Sequence, residues 1–153
     1  MKKLVSLLLV LMLASALFLP ATAEEAGEEK KGAPRFAPAE SADDFLGDWV
    51  MCGMIMPDRK YVTLEQLREI GAMEGEPWRL SISEQEYTLE FEGTVETHAC
   101  AYDPENGVML LTEKKQGAFI FTDLGYVGLG FARKDGTSHF VFFERVPEEE
   151  PQE

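Results

Sequence analysis

The stretch WRLSISEQEYTLEFE, residues 78–92, decides the fold. Its apolar side chains occupy every second position in two successive runs, first Trp78, Leu80 and Ile82 and then Tyr87, Leu89 and Phe91. The positions between them carry Arg, Ser, Thr and Glu. Alternation with a period of two is typical of strands that bury one face and expose the other. Two strands joined by a short connection are therefore predicted here.

The same kind of signal continues on both sides of this pair. An apolar run at 49–56 predicts a first strand, and five more strands are predicted at 94–102, 108–112, 118–122, 126–132 and 137–145. The connections are short and rich in Gly, Asn and Asp, as at 103–107, 114–117, 123–125 and 134–136.

Eight strands in succession with tight connections predict an all-β domain, built as an antiparallel up-and-down meander. Such a meander removes its exposed edges most simply by closing into a small barrel. A two-sheet sandwich is the alternative.

One short helix is predicted after the first strand. Thr63 is a good N-cap, and Gln66 stands three residues later as its capping-box partner. Leu64, Leu67 and Ile70 fall on one helical face, and Gly71 can end the helix in the left-handed conformation. We expect about two turns.

The chain's ends differ in composition from the middle. Residues 1–23 combine Lys2-Lys3, an apolar run and a small-x-small site, Ala21-Thr22-Ala23, which is the pattern of a cleavable signal peptide. An uncleaved membrane anchor is the alternative, although the run is shorter than the roughly 20 residues of a stable span. We therefore expect secretion or exposure on the exterior of the cell envelope.

Two charged segments flank the predicted domain, which covers residues 45–146. Residues 24–44 are rich in Glu, Ala and Pro, and are predicted to be a disordered linker. Residues 147–153, PEEEPQE, are predicted to be a solvated acidic tail.

The charge of the chain excludes several kinds of partner. It is −14 at pH 7, and losing Lys2 and Lys3 with a signal peptide would take it to −16. Nucleic acid is not an expected partner, because each phosphate contact requires a cation. After cleavage we also expect no membrane association, and we expect a monomer.

Four motifs, in order, resemble a known family. Gly47-Asp48-Trp49 opens the first strand, a Leu-x-x-Leu helix follows, hairpins are punctuated by Asp-Gly, and Phe143-Glu144-Arg145-Val146 closes the last strand. In this order they resemble a small lipocalin-like, calycin-type domain of secreted and surface proteins of Gram-positive gut bacteria. The resemblance covers about two-thirds of the chain.

This resemblance implies a barrel closed by contact between its first and last strands. In calycins an Arg near the end of the last strand stacks over the Trp of the Gly-x-Trp motif, which implies that Arg145 lies on the Trp49 ring. Full-size lipocalins bind hydrophobic ligands, whereas the short relatives have no established function to transfer. The two cysteines of this chain depart from the family pattern.

Cys52 and Cys100 are the only cysteines. In an oxidising compartment such a pair predicts a structural disulfide, here tying the first strand to the fourth. The alternatives are a redox-active thiol or a metal site that adds His98, but three ligands without a fourth make a poor zinc site. We expect no metal and no cofactor.

Catalysis has little support in the sequence. Neither of the two histidines, His98 and His139, lies in a recognisable nucleophile motif. Glu90, Glu92 and Glu96 can cluster on a wet sheet face without chemical significance. We therefore expect a protein that is not an enzyme.

Binding has more support, since the domain is rich in Met and aromatic residues. Met is frequent at adaptable apolar surfaces. The candidate ligand-binding residues are Met51, Trp78, Phe91, Phe121 and Phe131. The competing interpretation is that they simply fill the core, because a barrel of short strands has an interior just wide enough for side chains.

Two functional hypotheses follow. The first is a non-enzymatic binding module for an unknown small apolar ligand. The second is an extracellular inhibitor or protein-interaction domain acting on a secreted enzyme, through a loop or through the N-terminal linker with its single aromatic residue, Phe36. The sequence alone does not separate them.

Overall fold

The computed structural model describes residues 32–113, 117–132 and 138–147, and the side chains of residues 131, 132 and 138 lie outside the description. The predicted signal peptide, the connections at 114–116 and 134–136, and the tail beyond Pro147 therefore lie outside the described residues. The elements, in chain order, are a 3-10 turn Ala42–Asp44, β1 Gly47–Ile55, β2 Tyr61–Thr63, α1 Leu64–Glu69, β3 Arg79–Ile82, β4 Glu86–Phe91, β5 Thr94–Asp103, β6 Val108–Leu111, β7 Ala118–Phe121, β8 Val127–Ala132 and β9 Ser138–Arg145.

The strands form one antiparallel sheet that closes on itself. Each strand from β3 to β8 pairs with the next along the chain, and β1 pairs with both β3 and β9. The β1–β9 ladder runs from the Trp49–Arg145 pair to the Ile55–Phe140 pair. The predicted all-β, eight-stranded antiparallel barrel is confirmed, and the closing ladder excludes the two-sheet sandwich.

A ninth strand, β2, was not predicted. It is only three residues long and pairs with the second half of β1, from Gly53 to Ile55. Gly53 is required at this point, because a Cβ there would lie 2.6 Å from the Tyr61 hydroxyl and 2.6 Å from the Val62 carbonyl oxygen. The absence of a side chain thus lets β2 approach β1.

The predicted helix is present, with its capping box. The Gln66 amide donates to the Thr63 hydroxyl, and the Thr63 amide donates to the Gln66 side chain at 3.0 Å. Leu67 is the buried residue of this helix, whereas Ile70 is exposed. The helix ends at Glu69, and Ile70 is its C-cap, with a backbone that is no longer helical. The Ile70 side chain therefore does not continue the buried face.

Apolar side chains pack on both sides of the sheet. The interior cluster includes Trp49, Tyr87, Phe119 and Phe143, all fully buried. A second cluster on the outer face is built from Val108, Ile120, Phe140 and Phe142, with partly buried neighbours that include Phe36, Cys52 and Tyr61. The barrel therefore has a core inside and an apolar layer outside.

The described part of the segment before β1, residues 32–46, is placed against the barrel, whereas the sequence predicted a disordered linker over residues 24–44. Residues 24–31 of that linker lie outside the described residues. Phe36 forms an antiparallel bridge with Thr122, and the Ala39 amide donates to the Gly107 carbonyl at 3.0 Å. The Tyr102 hydroxyl donates to the Ala39 carbonyl at 2.9 Å. Composition did not reveal this contact, because the residues bond mainly through their backbone.

Candidate functional site

A pocket of about 620 Å³ lies where the chain between α1 and β3 meets the β4–β5 hairpin. Apolar side chains from the helix, the following loop and three strands line much of it, namely Met51, Met54, Leu67, Met73, Trp78, Phe91 and Val141. Ligand pockets in proteins usually measure about 300–1,000 Å³ and are mostly apolar. This volume is therefore sufficient for a small organic molecule.

The loop after α1 forms one wall, and the helix end holds it in place. Gly71 has a φ of 68°, the left-handed conformation that glycine adopts without strain. The Ala72 amide then donates back to the Leu67 carbonyl at 2.9 Å, and an Arg68 guanidinium nitrogen donates to the Gly75 carbonyl at 3.2 Å. These bonds turn the loop over the barrel mouth.

Two aromatic rings form the opposite wall. The Trp78 and Phe91 ring centroids are 5.4 Å apart with a tilt of 51°, a favourable arrangement for an aromatic pair. The Met51 amide donates to the Trp78 carbonyl at 2.9 Å, which fixes the backbone of the tryptophan against β1.

The rim of the pocket carries carboxylates. Glu74, Glu76, Glu90 and Glu92 line it and are all exposed, and its lining contains no Lys or Arg among the described residues. Glu92 and Gly93 form the two-residue turn between β4 and β5, with φ values of 49° and 75°. The mouth of the pocket is thus acidic while its floor is apolar.

The structure brings together three of the five predicted ligand-binding residues. Met51, Trp78 and Phe91 line the pocket. Phe121 does not, because its ring packs 5.8 Å from that of Phe45, outside the pocket lining. The side chain of Phe131 lies outside the described residues.

The five candidate ligand-binding residues leave out four apolar residues that line the pocket, Met54, Leu67, Met73 and Val141. Leu67 and Met73 belong to the helix and the loop after it, which a strand pattern cannot place. Met54 is displaced by an irregularity in β1, where the β9 partners shift between Met51 and Gly53. A strict alternation from Met51 would have put Met54 on the outer face.

The other end of the barrel is closed around Trp49. The Arg145 guanidinium carbon lies 4.3 Å from the centroid of the Trp49 ring, the arrangement that the resemblance implied. Arg145 also donates to the Leu46 carbonyl at 2.6 Å and to the Asp44 carbonyl at 3.0 Å. Gly47 has a φ of 119°, and a Cβ there would lie 2.8 Å from the guanidinium. The glycine of the Gly-x-Trp motif therefore makes room for Arg145.

The predicted Cys52–Cys100 disulfide is wrong, because the two thiols are not bonded to each other. Cys52 belongs to the outer cluster, where its thiol donates to the Phe142 carbonyl at 3.4 Å. Cys100 belongs to the interior cluster, and its thiol donates to the Ser83 carbonyl at 3.8 Å. The residues lie on opposite faces of the sheet in strands that do not pair, so the predicted bridge cannot form in this fold.

Thiol titration should therefore find two thiols per chain in the unfolded, unreduced protein. In the folded protein Cys100 should react slowly with an alkylating reagent, because it is buried and because burial raises the pKa of its thiol, with a smaller contribution from Glu86. Mass spectrometry of the alkylated protein would assign each site. An unfolded, unreduced chain without reactive thiol would contradict this arrangement.

The alternative metal site does not assemble either. His98 and Cys100 share a face of β5, but Cys52 is on the other side of the sheet, and the described residues contain no group of three metal-ligating side chains. The His98 ring instead lies between two carboxylates, with Nδ1 2.8 Å from Glu113 and Nε2 3.3 Å from Glu96. The hydrogen bond from His98 holds the pKa of Glu113 below its ordinary value, with a smaller effect from the Ala99 backbone.

His139 is buried on the same face of β9 as Val141, one of the lining residues. Neither of its ring nitrogens has a hydrogen-bond partner in the described part of the chain. The two histidines are therefore in different environments and do not form a common site.

The fold and the pocket together define a closed antiparallel β-barrel with an apolar pocket between its α1–β3 loop and its β4–β5 hairpin. Comparison with known protein families, with curated proteins and with solved structures finds no match for this chain. In the described residues no helix is long and apolar enough to cross a membrane.

Proposed function

We propose that this chain is a secreted, lipocalin-like binding module that holds a small, largely apolar molecule and acts by binding rather than by catalysis. The observation that carries the proposal is the 620 Å³ pocket with its Met, Leu, Val and aromatic lining. A core-only role for these side chains would leave no such space, since protein interiors are close-packed.

The geometry of the barrel supports this proposal. Around Trp49 the structure is closed by Arg145 and by the 3-10 turn, and Phe45, whose carbonyl accepts from the Trp49 indole nitrogen, is fully buried there. The free volume lies beside the α1–β3 loop instead. A barrel with a loop-covered pocket is suited to holding a ligand, because the walls are positioned before binding.

The N-terminal signal-peptide pattern supports delivery of the module to the cell exterior. The Gly-x-Trp motif and the Arg145 contact support the lipocalin-like assignment. The second hypothesis is an inhibitor or protein-interaction domain that acts through a loop or through the N-terminal linker, and its linker form has less support. Phe36 packs against the outer cluster instead of being presented to a partner.

Titration with N-phenyl-1-naphthylamine, a neutral dye that fluoresces in apolar surroundings, tests the proposal. The folded protein should bind about one dye per chain, and binding should quench or shift the emission of Trp78. Replacing Ala72, an exposed lining residue, with Trp should fill the pocket and weaken dye binding by roughly tenfold or more.

The matched control is Val95→Trp, which adds the same indole at an exposed position outside the pocket lining. This variant should bind the dye as the unmodified protein does. Dye binding that Ala72→Trp and Val95→Trp leave equally intact would overturn the proposal, as would a folded protein that binds no dye.

A further inference from the structure

The pocket has an apolar floor and a negatively charged mouth. Among its described lining residues, four are glutamates and none is cationic. Two arginines adjoin lining residues along the chain, and each faces a partner of its own. Arg68 donates to the Gly75 carbonyl, and Arg79 stands opposite Glu90 in the β3–β4 ladder. An excess of negative charge therefore remains around the opening, carried by Glu74, Glu76 and Glu92. A concave opening concentrates the electrostatic field of such charges.

Glu92 stands at the mouth of the pocket in a backbone conformation that glutamate rarely adopts. The turn that it forms with Gly93 has positive φ at both residues, a geometry that favours Asn-Gly and disfavours a longer side chain. A non-glycine residue held in the left-handed region is often associated with a functional site. The turn places the exposed side chain of Glu92 at the mouth of the pocket.

The aromatic wall favours the same ligand charge. Trp78 and Phe91 present π faces or edges to the pocket, and organic cations are attracted to the faces of such rings. An anionic ligand would have to pass three exposed carboxylates to reach this wall.

We infer, on the basis of the proposed function, that the pocket takes small molecules that join an apolar body to a cationic nitrogen, such as an alkyl or aryl ammonium. The apolar body lies on Met51, Met54 and Val141. The nitrogen lies near the mouth, between the aromatic pair and the carboxylates of Glu74, Glu76 and Glu92. The fully solvated end of the ligand is the charged one.

Displacement of N-phenyl-1-naphthylamine by three ten-carbon probes tests this inference. Decylamine, 1-decanol and decanoate share one apolar chain and differ in the charge of the head group at pH 7. At low ionic strength, decylamine should displace the dye at a concentration about tenfold lower than decanol, since several weak surface contacts of this kind add. Decanoate should be the weakest. Adding salt should reduce the preference, because exposed charges are screened.

Removing the carboxylates should remove the preference without removing the pocket. In the triple variant Glu74→Gln, Glu76→Gln, Glu92→Gln, decylamine and decanol should displace the dye at nearly equal concentrations. The control, Glu84→Gln, Glu86→Gln, Glu105→Gln, makes the same change in net charge at residues outside the pocket lining. It should keep most of the preference.

The outcomes separate this inference from the proposed function. If the dye binds but all three probes displace it equally, or if both triple variants lose the preference alike, the inference is wrong and the binding module stands. If neither the dye nor any probe binds the folded protein, the proposed function itself fails. A preference for decanoate would overturn the inference directly.

Discussion

Replacing Trp49 with alanine should lower the free energy of unfolding by about 3–5 kcal/mol, as large-to-small changes of buried aromatic residues do. The Trp49 side chain is only 1% exposed, and its indole nitrogen donates to the Phe45 carbonyl at 2.9 Å. The Arg145 guanidinium lies on its ring. The substitution therefore leaves a cavity, breaks a buried hydrogen bond and removes the contact that joins β1 to the end of β9.

The other tryptophan provides the control for this measurement. Trp78 is half-buried in the pocket wall, so Trp78→Ala should cost less stability while weakening dye binding. Chemical denaturation followed by far-ultraviolet circular dichroism compares the two variants without depending on tryptophan emission. An equal or smaller loss for Trp49→Ala than for Trp78→Ala would contradict the role of Trp49 in closing the barrel.

Replacing Gly128 with valine should cost roughly 1–3 kcal/mol, the usual range for overpacking. Gly128 lies in β8 under the outer apolar cluster, and a Cβ there would lie 2.9 Å from Ile120 Cγ1 and 2.9 Å from Phe142 Cε1. Phe142 is fully buried and cannot move into solvent without exposing its ring. Strands generally favour β-branched residues, so strand propensity alone would predict that valine stabilises β8. A measured loss of stability would therefore indicate overpacking.

Ser81→Val is the matched control, because it places valine at an exposed position in the middle of β3. Its effect should stay within about 0.5 kcal/mol, as at most surface positions. Adding Phe142→Leu to Gly128→Val should recover part of the loss, since a smaller side chain frees space. If Gly128→Val costs no more than Ser81→Val, the outer cluster is not packed as described.

Much of the architecture could be predicted from the sequence because the relevant interactions are local. The alternation from Trp78 to Phe91 predicts strands, since successive side chains of a strand point to opposite faces. The Thr63 and Gln66 pair predicts the start of the helix through two hydrogen bonds that span only three residues. The order of strands and short turns then leaves few topologies other than a meander.

The candidate site could be predicted only in part. The aromatic and Met residues of the strands were recognisable, and Met51, Trp78 and Phe91 line the pocket. Leu67 and Met73 reach it through a helix and a loop whose direction depends on Gly71 and on backbone bonds to Leu67. Such placement depends on tertiary packing and has no period in the sequence.

By itself, then, the sequence determined the all-β class, the eight barrel strands, the capped helix and the acidic character of the chain. Only the tertiary structure decided which face of each strand is inside. In β9 both faces are apolar, with Val141 and Phe143 in the interior and Phe140 and Phe142 outside, so a hydrophobic pattern cannot assign them. For the same reason the sequence could not show that Cys52 and Cys100 lie on opposite faces of the sheet, and a disulfide was predicted between them. Cys52 lies at an irregularity of β1 on the outer face and Cys100 in the interior, and that separation arises only when the sheet curls and closes.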